Sequence, residues 1–348
     1  MFHPESLPLP VRWFLRLLSL PYGLVVRFRN FAFDRGWKQS IRVDVPVVSI
    51  GNLTLGGTGK TPCVEYVADF LRQRGHQVCL LSRGYRASSS GSNDEAMLLE
   101  ENLPDVPHLQ NPNRIESAKI AIDELEAEIL ILDDGFQHRR LKRDLDLVLI
   151  DVNHPPHRDW LFPGGTLREP ISSLKRAHAV ILTHSDSVPE SELNALTTVL
   201  SHWIPPTACV VRSIHKPIEL IRVDADPLDP VTLRGRTLGM VSGIGNPAAF
   251  RRTLESLGAT IAAEKQFPDH HGYTRADVEG LEAWARQLPE DAWIAITQKD
   301  HVKLRIPALA GRPVVAVRIG LTFTKGEAEL QRLLEEGIRK SPQDPYLP

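Results

Sequence analysis

Short apolar runs alternate with stretches of helical periodicity along most of the chain, and this alternation predicts its secondary structure. Runs rich in Val, Ile and Leu predict buried parallel strands at residues 45–50, 77–82, 129–132, 145–150, 179–182, 208–211, 238–241, 293–296 and 314–317. Apolar positions three or four residues apart predict helices after residue 61 and at residues 116–126, 247–257, 275–286 and 327–338. Strands that alternate with helices in this way are typical of an α/β fold with a doubly wound parallel sheet.

Breaks in the pattern indicate how the chain is divided. Asp, Pro and Gly crowd together at residues 224–236, which predicts a linker or hinge. This linker would join a larger domain at residues 43–223 to a smaller α/β domain at residues 237–340. Residues 86–93 are polar and rich in Ser, which predicts a surface loop, and residues 341–348 are expected to fray.

Residues 1–42 differ from the rest of the chain in charge and in apolar content. They carry seven basic and two acidic side chains, whereas the whole chain has 41 basic and 43 acidic residues. Val11, Phe14, Leu15 and Leu18 fall on one helix face, and Pro21 is expected to break or kink the helix. Apolar residues interleaved with arginines predict an amphipathic helix lying in a membrane interface. The alternative is a helix packed on the protein's own core, with its arginines reaching solvent.

Composition narrows the functional class. The near balance of charges argues against a generally basic nucleic-acid-binding protein. The three cysteines are far apart and fit neither a disulfide framework nor a zinc site, which indicates a reducing, cytosolic compartment. The sequence has no uncharged apolar run of 18 residues and no signal-peptide pattern, so neither a transmembrane helix nor a cleaved leader is expected.

The segment from Val45 to Thr61, VPVVSIGNLTLGGTGKT, carries the strongest chemical signal. It has the order strand, glycine-rich loop and helix start that a phosphate-binding P-loop requires. Glycines let several backbone N–H groups converge on a phosphate, the lysine reaches the β- and γ-phosphates, and the last hydroxyl ligates Mg²⁺. The usual pattern has Gly where this chain has Thr54. The predicted ATP-binding residues of the loop are Thr54, Gly56, Gly57, Thr58, Gly59, Lys60 and Thr61.

Two carboxylates follow the apolar run at residues 129–132. Asp133 and Asp134 would lie at the C-terminal edge of the sheet, where open α/β sheets bind ligands and where a P-loop needs an acidic partner for Mg²⁺. The predicted metal ligands are therefore Thr61, Asp133 and Asp134, although a surface turn also tolerates Asp-Asp-Gly. Gln137 follows closely and could contact either nucleotide or a substrate phosphate.

Two later segments add charged groups. Arg168, in FPGGTLREP, could neutralise charge on a transferring phosphoryl group, or it could make an ordinary surface ion pair. His270 and His271, in FPDHH, stand beside a carboxylate and could assist proton transfer, or they could belong to a polar loop.

These residues and their order resemble the tetraacyldisaccharide 4'-kinase family, the lipid A pathway kinases of Gram-negative bacteria. The resemblance runs through SIGNLTLGGTGKTP, SRGY, DDGFQHRRL, PGGTLREP, SGIGNPAAF, FPDHHGY and TQKDHVKL, and covers nearly the whole chain. It implies transfer of the ATP γ-phosphate to the 4'-hydroxyl of a tetraacyldisaccharide 1-phosphate, giving lipid IVA. It also implies a P-loop NTPase-like domain, a smaller α/β domain hinged to close over the nucleotide, and a peripheral enzyme at the cytoplasmic face of the inner membrane.

The resemblance assigns a general base. The family's catalytic aspartate lies in a Gly-Asp-Glu-Pro motif, and the nearest match is Asp94, in Asn-Asp-Glu-Ala. Its histidine partner maps to His270, with His271 as the alternative. Gln298 stands where other members have a glutamate, which puts any role of that carboxylate in doubt.

Two other functions compete with the kinase. One is a membrane-associated ATPase of the partitioning type, whose loop carries a lysine where this chain has Leu55. The other is a nucleotide-gated membrane scaffold, which would leave Asp94 and His270 without a role.

Overall fold

The computed structural model describes residues 7–84 and 94–339, which fall into two compact units. Among the described residues, the first unit comprises 7–84, 105–215 and 321–339, and the second comprises 94–104 and 216–320. The predicted loop at 86–93 and the predicted frayed tail at 341–348 lie outside the described residues.

The first unit follows the predicted alternation of strands and helices. Its elements are α1 (Leu9–Asp34), β1 (Val47–Asn52), α2 (Lys60–Arg72), β2 (Val78–Ser82), β3 (His108–Gln110), α4 (Arg114–Asp123), β4 (Ile129–Asp133), β5 (Leu145–Asp151), β6 (Ala179–Thr183) and α5 (Glu190–Ser201). It also holds the first half of β7 (Cys209–Arg222), the end of β13 (Arg312–Lys325) and α9 (Glu327–Arg339). The helix between β2 and β3, α3 (Asp94–Asn102), belongs to the second unit.

A parallel sheet forms the centre of the first unit. Its strand order is β7-β6-β5-β1-β4-β2-β3, and every adjacent pair is parallel. Side chains that alternate along its strands form two cores: Val148, Val180 and Leu182 pack with α5, whereas Leu81 and Leu130 pack on the opposite side. Because both faces are covered, the central strands read as continuous apolar runs. The prediction of a doubly wound sheet is confirmed.

The second unit repeats the arrangement on a smaller scale. Besides α3, its elements are β8 (Ala225–Leu228), β9 (Thr237–Ser242), α6 (Pro247–Ser256), β10 (Thr260–Gln266), α7 (Arg275–Ala285), β11 (Trp293–Thr297), α8 (Gln298–Leu304) and β12 (Ala308–Leu309). Strands β10-β9-β11-β13 are parallel neighbours in that order. One core includes Ile294, Ile296 and Ala316, and the other includes Ala295 and Val315, so this sheet is also covered on both faces.

The compact units are divided at other positions than the predicted domains. The chain passes between units at residues 84/85, 104/105, 215/216 and 320/321, so residues 224–236 lie inside the second unit. They form β8 and a short 3₁₀ turn, Pro230–Leu233, that buries Leu233. Helix α9, which the pattern placed in the smaller domain, belongs to the first unit.

Candidate active site

The glycine-rich loop connects β1 to α2 in the predicted order. Helix α2 begins at Lys60, and Gly59 caps it in the left-handed conformation with φ 84°. The amide of Asn52, at the end of β1, donates to the Thr58 hydroxyl over 3.0 Å and so ties the two sides of the loop together. The loop therefore presents the N-terminus of α2, where free N–H groups and the helix dipole favour phosphate.

Gly59 lies directly against the ring of His215. A Cβ at this position would overlap the imidazole, and the positive φ also disfavours other residues. Burial lowers the pKa of His215 to about 4, so its ring is neutral at physiological pH and packs beside that of His184. Glycine is thus required here for two independent reasons.

Asp134 holds the two cationic side chains expected to face phosphate. Its Oδ2 lies 2.6 Å from Nη1 of Arg168, and its Oδ1 lies 3.6 Å from Nζ of Lys60. Burial favours a raised pKa for Asp134, but the positive charges of Lys60 and Arg168 outweigh it and lower the pKa. The Asp134 backbone has φ 52°, a left-handed conformation that is uncommon outside glycine and turns the chain after β4.

Backbone pairing places Arg168 at the loop. Thr54 forms an antiparallel bridge with Leu167, the N–H of Arg168 donates to Leu53 O over 2.7 Å, and the N–H of Leu55 donates to Thr166 O over 2.7 Å. The segment that carries Arg168 is therefore hydrogen-bonded to the first half of the P-loop.

The remaining predicted ligands lie around the same strand ends. Asp133 closes β4 beside Ile50 of β1, and burial together with the Asp133 charge raises the pKa of Cys63, in the first turn of α2, to about 12. Thr61 lies in that same first turn. The Gln137 amide donates to Asn52 O over 2.8 Å, so this side chain supports the end of β1.

The predicted base lies in the second unit. Asp94 begins α3, and its side chain is 1% exposed. Nδ1 of His270 lies 3.1 Å from Asp94 Oδ2, and the His270 backbone adopts a left-handed φ of 59°. Nζ of Lys303, from α8, lies 3.0 Å from the same oxygen.

The other histidine has a different partner. Nε2 of His271 lies 3.1 Å from Asp277 Oδ2. Asp277 and Thr274 form the capping box at the start of α7, so His271 supports that helix end. The structure thus pairs His270, and not His271, with Asp94.

Helix α1 turns its polar and small side chains inwards. Its buried residues include Ser19, Gly23 and Asn30. The Tyr22 hydroxyl donates to Arg168 O over 2.9 Å, and the Asn30 amide donates to Glu169 Oε2 over 2.9 Å. The helix continues through Pro21, so the predicted break at this residue does not occur.

The apolar side chains of α1 point to solvent. Between 58% and 67% of the accessible area is exposed in a set of large side chains, namely Leu9, Trp13, Phe14, Leu17, Leu20, Leu24, Val25 and Phe28. One face of α1 is therefore packed on the first unit, whereas the face that carries these large apolar side chains is not. Within the described residues, α1 is long and apolar enough to cross a membrane, by length and composition alone, although the sequence has no uncharged run of that length.

Sequence reasoning missed three side chains of these sites: Lys303, Asn52 and His215. Lys303 lies in the TQKDHVKL segment, but the seven-residue helix α8 was too short to produce a periodic signal. Asn52 lies in the quoted P-loop segment, yet only the structure shows that its amide braces Thr58. His215 has no sequence signal, because it reaches Gly59 through the fold alone.

Comparison with known proteins gives one consistent result. A family model described as tetraacyldisaccharide-1-P 4'-kinase matches residues 11–339. A protein named tetraacyldisaccharide 4'-kinase from Anaeromyxobacter sp. strain K is 38% identical over 350 residues, covering 94% of this chain and 91% of its own. One of the same name from Syntrophus aciditrophicus is 37% identical over 322 residues, covering 85% of each chain.

A solved structure extends the comparison to the fold. LpxK from Aquifex aeolicus, in complex with ATP, is similar with a TM-score of 0.77 and 29% sequence identity. The similarity covers 94% of this chain and 99% of that one.

Proposed function

The chain belongs to the tetraacyldisaccharide-1-P 4'-kinase family, and from this premise we propose how its own residues carry out the kinase reaction. The enzyme transfers the γ-phosphoryl group of ATP to the 4'-hydroxyl of a tetraacyldisaccharide 1-phosphate. Phosphoryl transfer requires positioned reactants, neutralised charge and an acceptor for the hydroxyl proton. The two units supply separate parts of this set.

The first unit binds and neutralises the triphosphate. The N–H groups of the loop at Gly56–Lys60 hold phosphate oxygens, and Lys60 and Arg168 offset the charge of the transferring group. Asp134 keeps both cations beside the loop, 3.6 and 2.6 Å from its carboxylate oxygens. Because these groups are already oriented, they need little rearrangement when charge develops.

Magnesium fits the donor set of this site. Carboxylate and hydroxyl oxygens are the ligands that Mg²⁺ prefers, and it usually takes only one or two from protein, the rest coming from phosphate and water. Because Asp134 is occupied by two cations, we assign metal contact to Asp133 and Thr61. Bound Mg²⁺ would offset negative charge on the β- and γ-phosphates.

The second unit supplies the base. A sugar hydroxyl is too weak an acid to ionise beforehand, so Asp94 accepts its proton as the new P–O bond forms. The observation that carries the proposal is the pairing of Asp94 Oδ2 with His270 Nδ1 at 3.1 Å, between residues 176 positions apart. A nucleotide-gated scaffold has no use for a buried carboxylate held in this way.

The lipid acceptor explains the exposed face of α1. A substrate with four acyl chains lies in a bilayer, and an interfacial helix with arginines suits anionic headgroups. We propose that α1 rests in the cytoplasmic face of the inner membrane with its large apolar side chains among the lipids. Its buried polar face meanwhile remains bonded to the first unit.

Incubation of the purified enzyme with ATP and the lipid acceptor tests this function. Phosphorylated disaccharide is the expected product, whereas phosphate release alone would support the partitioning-type ATPase. Asp94→Asn should lower kcat by about 10² or more, the usual size of a lost general base, with ATP binding unchanged. An unchanged kcat would remove Asp94 from the mechanism.

A further inference from the structure

Lys303 shares with His270 the same oxygen of the predicted base. Its Nζ lies 3.0 Å from Asp94 Oδ2, and the lysine side chain is only 7% exposed, against 53% for His270. Lys303 projects from α8, which packs against α3, the helix that Asp94 begins. Its ammonium group also lies 5.8 Å from the centre of the Tyr273 ring.

Because the Asp94 carboxylate is buried, a positive charge beside it affects whether it stays ionised. A carboxylate with 1% of its side chain exposed loses most of its hydration and tends to become protonated unless a cation compensates. His270 is half-exposed, so water screens any charge that its ring carries. The Lys303 ammonium group is buried beside the carboxylate, so its charge acts on Asp94 with little screening.

The helices that carry the pair are fixed to each other by polar side chains. The Gln298 amide donates to Asn102 Oδ1 over 2.5 Å, and the Asn102 amide donates back to Gln298 Oε1 over 3.4 Å. His301 lies 3.7 Å from Glu101. Gln298 is the residue that replaces a glutamate in the sequence motif, and here its amide joins α8 to α3. These contacts hold α8, which carries Lys303, against α3, which carries Asp94.

We propose that Lys303 is a positioning residue for the kinase reaction: its buried ammonium group fixes Oδ2 of Asp94 and keeps the base ionised, while His270 orients the same carboxylate from the exposed side. This inference rests on the proposed role of Asp94. It assigns the compensating charge to the buried Lys303 and leaves His270 as a hydrogen-bond partner of the same oxygen. The proton taken from the sugar hydroxyl goes to Asp94.

Other ionisable groups lie on the elements packed around the Asp94 carboxylate, namely α3, α8 and the loop that carries His270. Two of the neighbours, His270 and Lys303, place nitrogen atoms within 3.1 Å of it. Asp300 accepts from the Tyr273 hydroxyl over 2.9 Å and from the N–H of Gly243, and so serves a separate network. The titratable or charged groups on the packed elements are Glu95, Glu100 and Glu101 on α3, Lys299, Asp300, His301 and Lys303 on α8, and Asp269, His270, His271 and Tyr273 on the loop between β10 and α7.

The pH dependence of kcat separates this role from simple packing. We expect Lys303→Met to lower kcat by about 10-fold to 100-fold at pH 7, within the range of a weakened general base. Without the cation the buried carboxylate should hold its proton, so the acidic limb of the kcat profile should move up to about pH 8–9, the range of buried carboxyl groups that have no compensating charge. The deficit should therefore shrink as pH rises from 6 to 9, and Lys303→Arg, which keeps the charge, should retain the wild-type limb.

Control measurements separate the role of Lys303 from effects of lost charge elsewhere, of misfolding and of lost ATP binding. Lys265→Met removes the same charge from an exposed position in the same unit and should leave kcat and its pH profile unchanged. Thermal unfolding and calorimetry with ATP establish that each variant is folded and binds nucleotide. If Lys303→Met does not fold, the limb of Lys303→Arg decides, because the proposal requires it to stay in place.

Two outcomes would overturn the inference. One is a wild-type kcat in Lys303→Met, and the other is an equal loss at every pH with no recovery in Lys303→Arg. If either occurs while Asp94→Asn is inactive, the inference fails and the kinase mechanism stands. If Asp94→Asn itself keeps full kcat, the proposed mechanism fails, because Asp94 is then not the general base.

Discussion

Nη1 of Arg168 lies 2.6 Å from Oδ2 of Asp134, so the arginine expected to stabilise the transferring phosphoryl group is held by a carboxylate from the neighbouring strand end. The same carboxylate faces Lys60 through its other oxygen. One acidic residue therefore orients both cations beside the P-loop.

The charge on Arg168 is expected to be essential. Arg168→Gln should lower kcat by about 10²–10³, the cost of losing one oriented group that stabilises transition-state charge. Arg168→Lys should recover only part of the rate, because an ammonium cannot reproduce the planar guanidinium geometry. Arg158→Gln, at an exposed position of the same unit, is the control and should keep its rate. Steady-state kinetics provide the measurement. A normal kcat for Arg168→Gln would show that Arg168 does not stabilise the transferring group and only forms an ion pair with Asp134.

Gly59 should not accept even a methyl group. Gly59→Ala must adopt a left-handed conformation, at roughly 1–2 kcal/mol, and its Cβ would collide with the His215 ring. We expect ATP affinity, measured by calorimetry, to fall at least about tenfold, which corresponds to 1.4 kcal/mol.

Gly75→Ala is the matched control for Gly59→Ala. Gly75 has a similar φ of 88° beyond the end of α2, and a methyl group added there would meet no atom within 4 Å. It should cost stability but keep ATP affinity. Equal affinities in the two alanine variants would show that the contact between Gly59 and His215 does not matter for binding.

The two adjacent histidines should separate into different phenotypes. His270→Ala removes a hydrogen-bond partner of Asp94 and should lower kcat by roughly tenfold or more, with ATP binding preserved. His271→Ala removes a contact to Asp277 in the α7 capping box and should lower thermal stability while keeping most of kcat. Kinetics and thermal unfolding of both variants give the comparison, and a reversed pattern would make His271 the partner of the base.

The exposed face of α1 is best tested by single charges, because deletion of residues 1–42 would also remove the contacts of Tyr22 and Asn30 with the first unit. Leu17→Glu and Leu24→Glu should each weaken sedimentation with anionic vesicles by about tenfold or more, since each forfeits the burial of one leucine. Val231→Glu, 55% exposed in the second unit, is the control. Undiminished vesicle binding in both α1 variants would mean that this face does not contact lipid.

The sequence predicted the strands that are buried along their whole length and the functional residues that lie close together in the chain. Val47, Val48 and Ile50 predicted β1 because the strand is covered on both faces, and the glycines after it predicted the loop. The strands β7 and β13 were predicted at four residues each but have fourteen, because much of each is half-exposed and lacks a continuous apolar run. The short helices α3 and α8 gave no periodic signal, although they carry Asp94 and Lys303.

Contacts between distant residues were beyond sequence reasoning. Asp94 and His270 were paired only through a family resemblance, since nothing in their spacing indicates that they meet. The unit boundaries also depend on such contacts, because helix α3, at residues 94–102, joins a unit whose other elements begin more than a hundred positions later. Residues 224–236 looked like a linker by composition, yet they bury Leu233 in a core.

The hydrogen bond from the Tyr22 hydroxyl to the Arg168 carbonyl links the position of α1 to that of the phosphate-binding loop. Ser19, one turn earlier, donates to Leu161 O over 2.7 Å and accepts from the N–H of Gly164. Helix α1 is therefore hydrogen-bonded to both ends of residues 161–168, the segment that carries Arg168. A helix seated at a fixed depth among the headgroups would thereby set the height of the phosphate-binding loop above the lipid surface. The enzyme would then select acceptors by the height of the sugar hydroxyl above the bilayer, because only a hydroxyl at the height of the loop could receive the phosphoryl group.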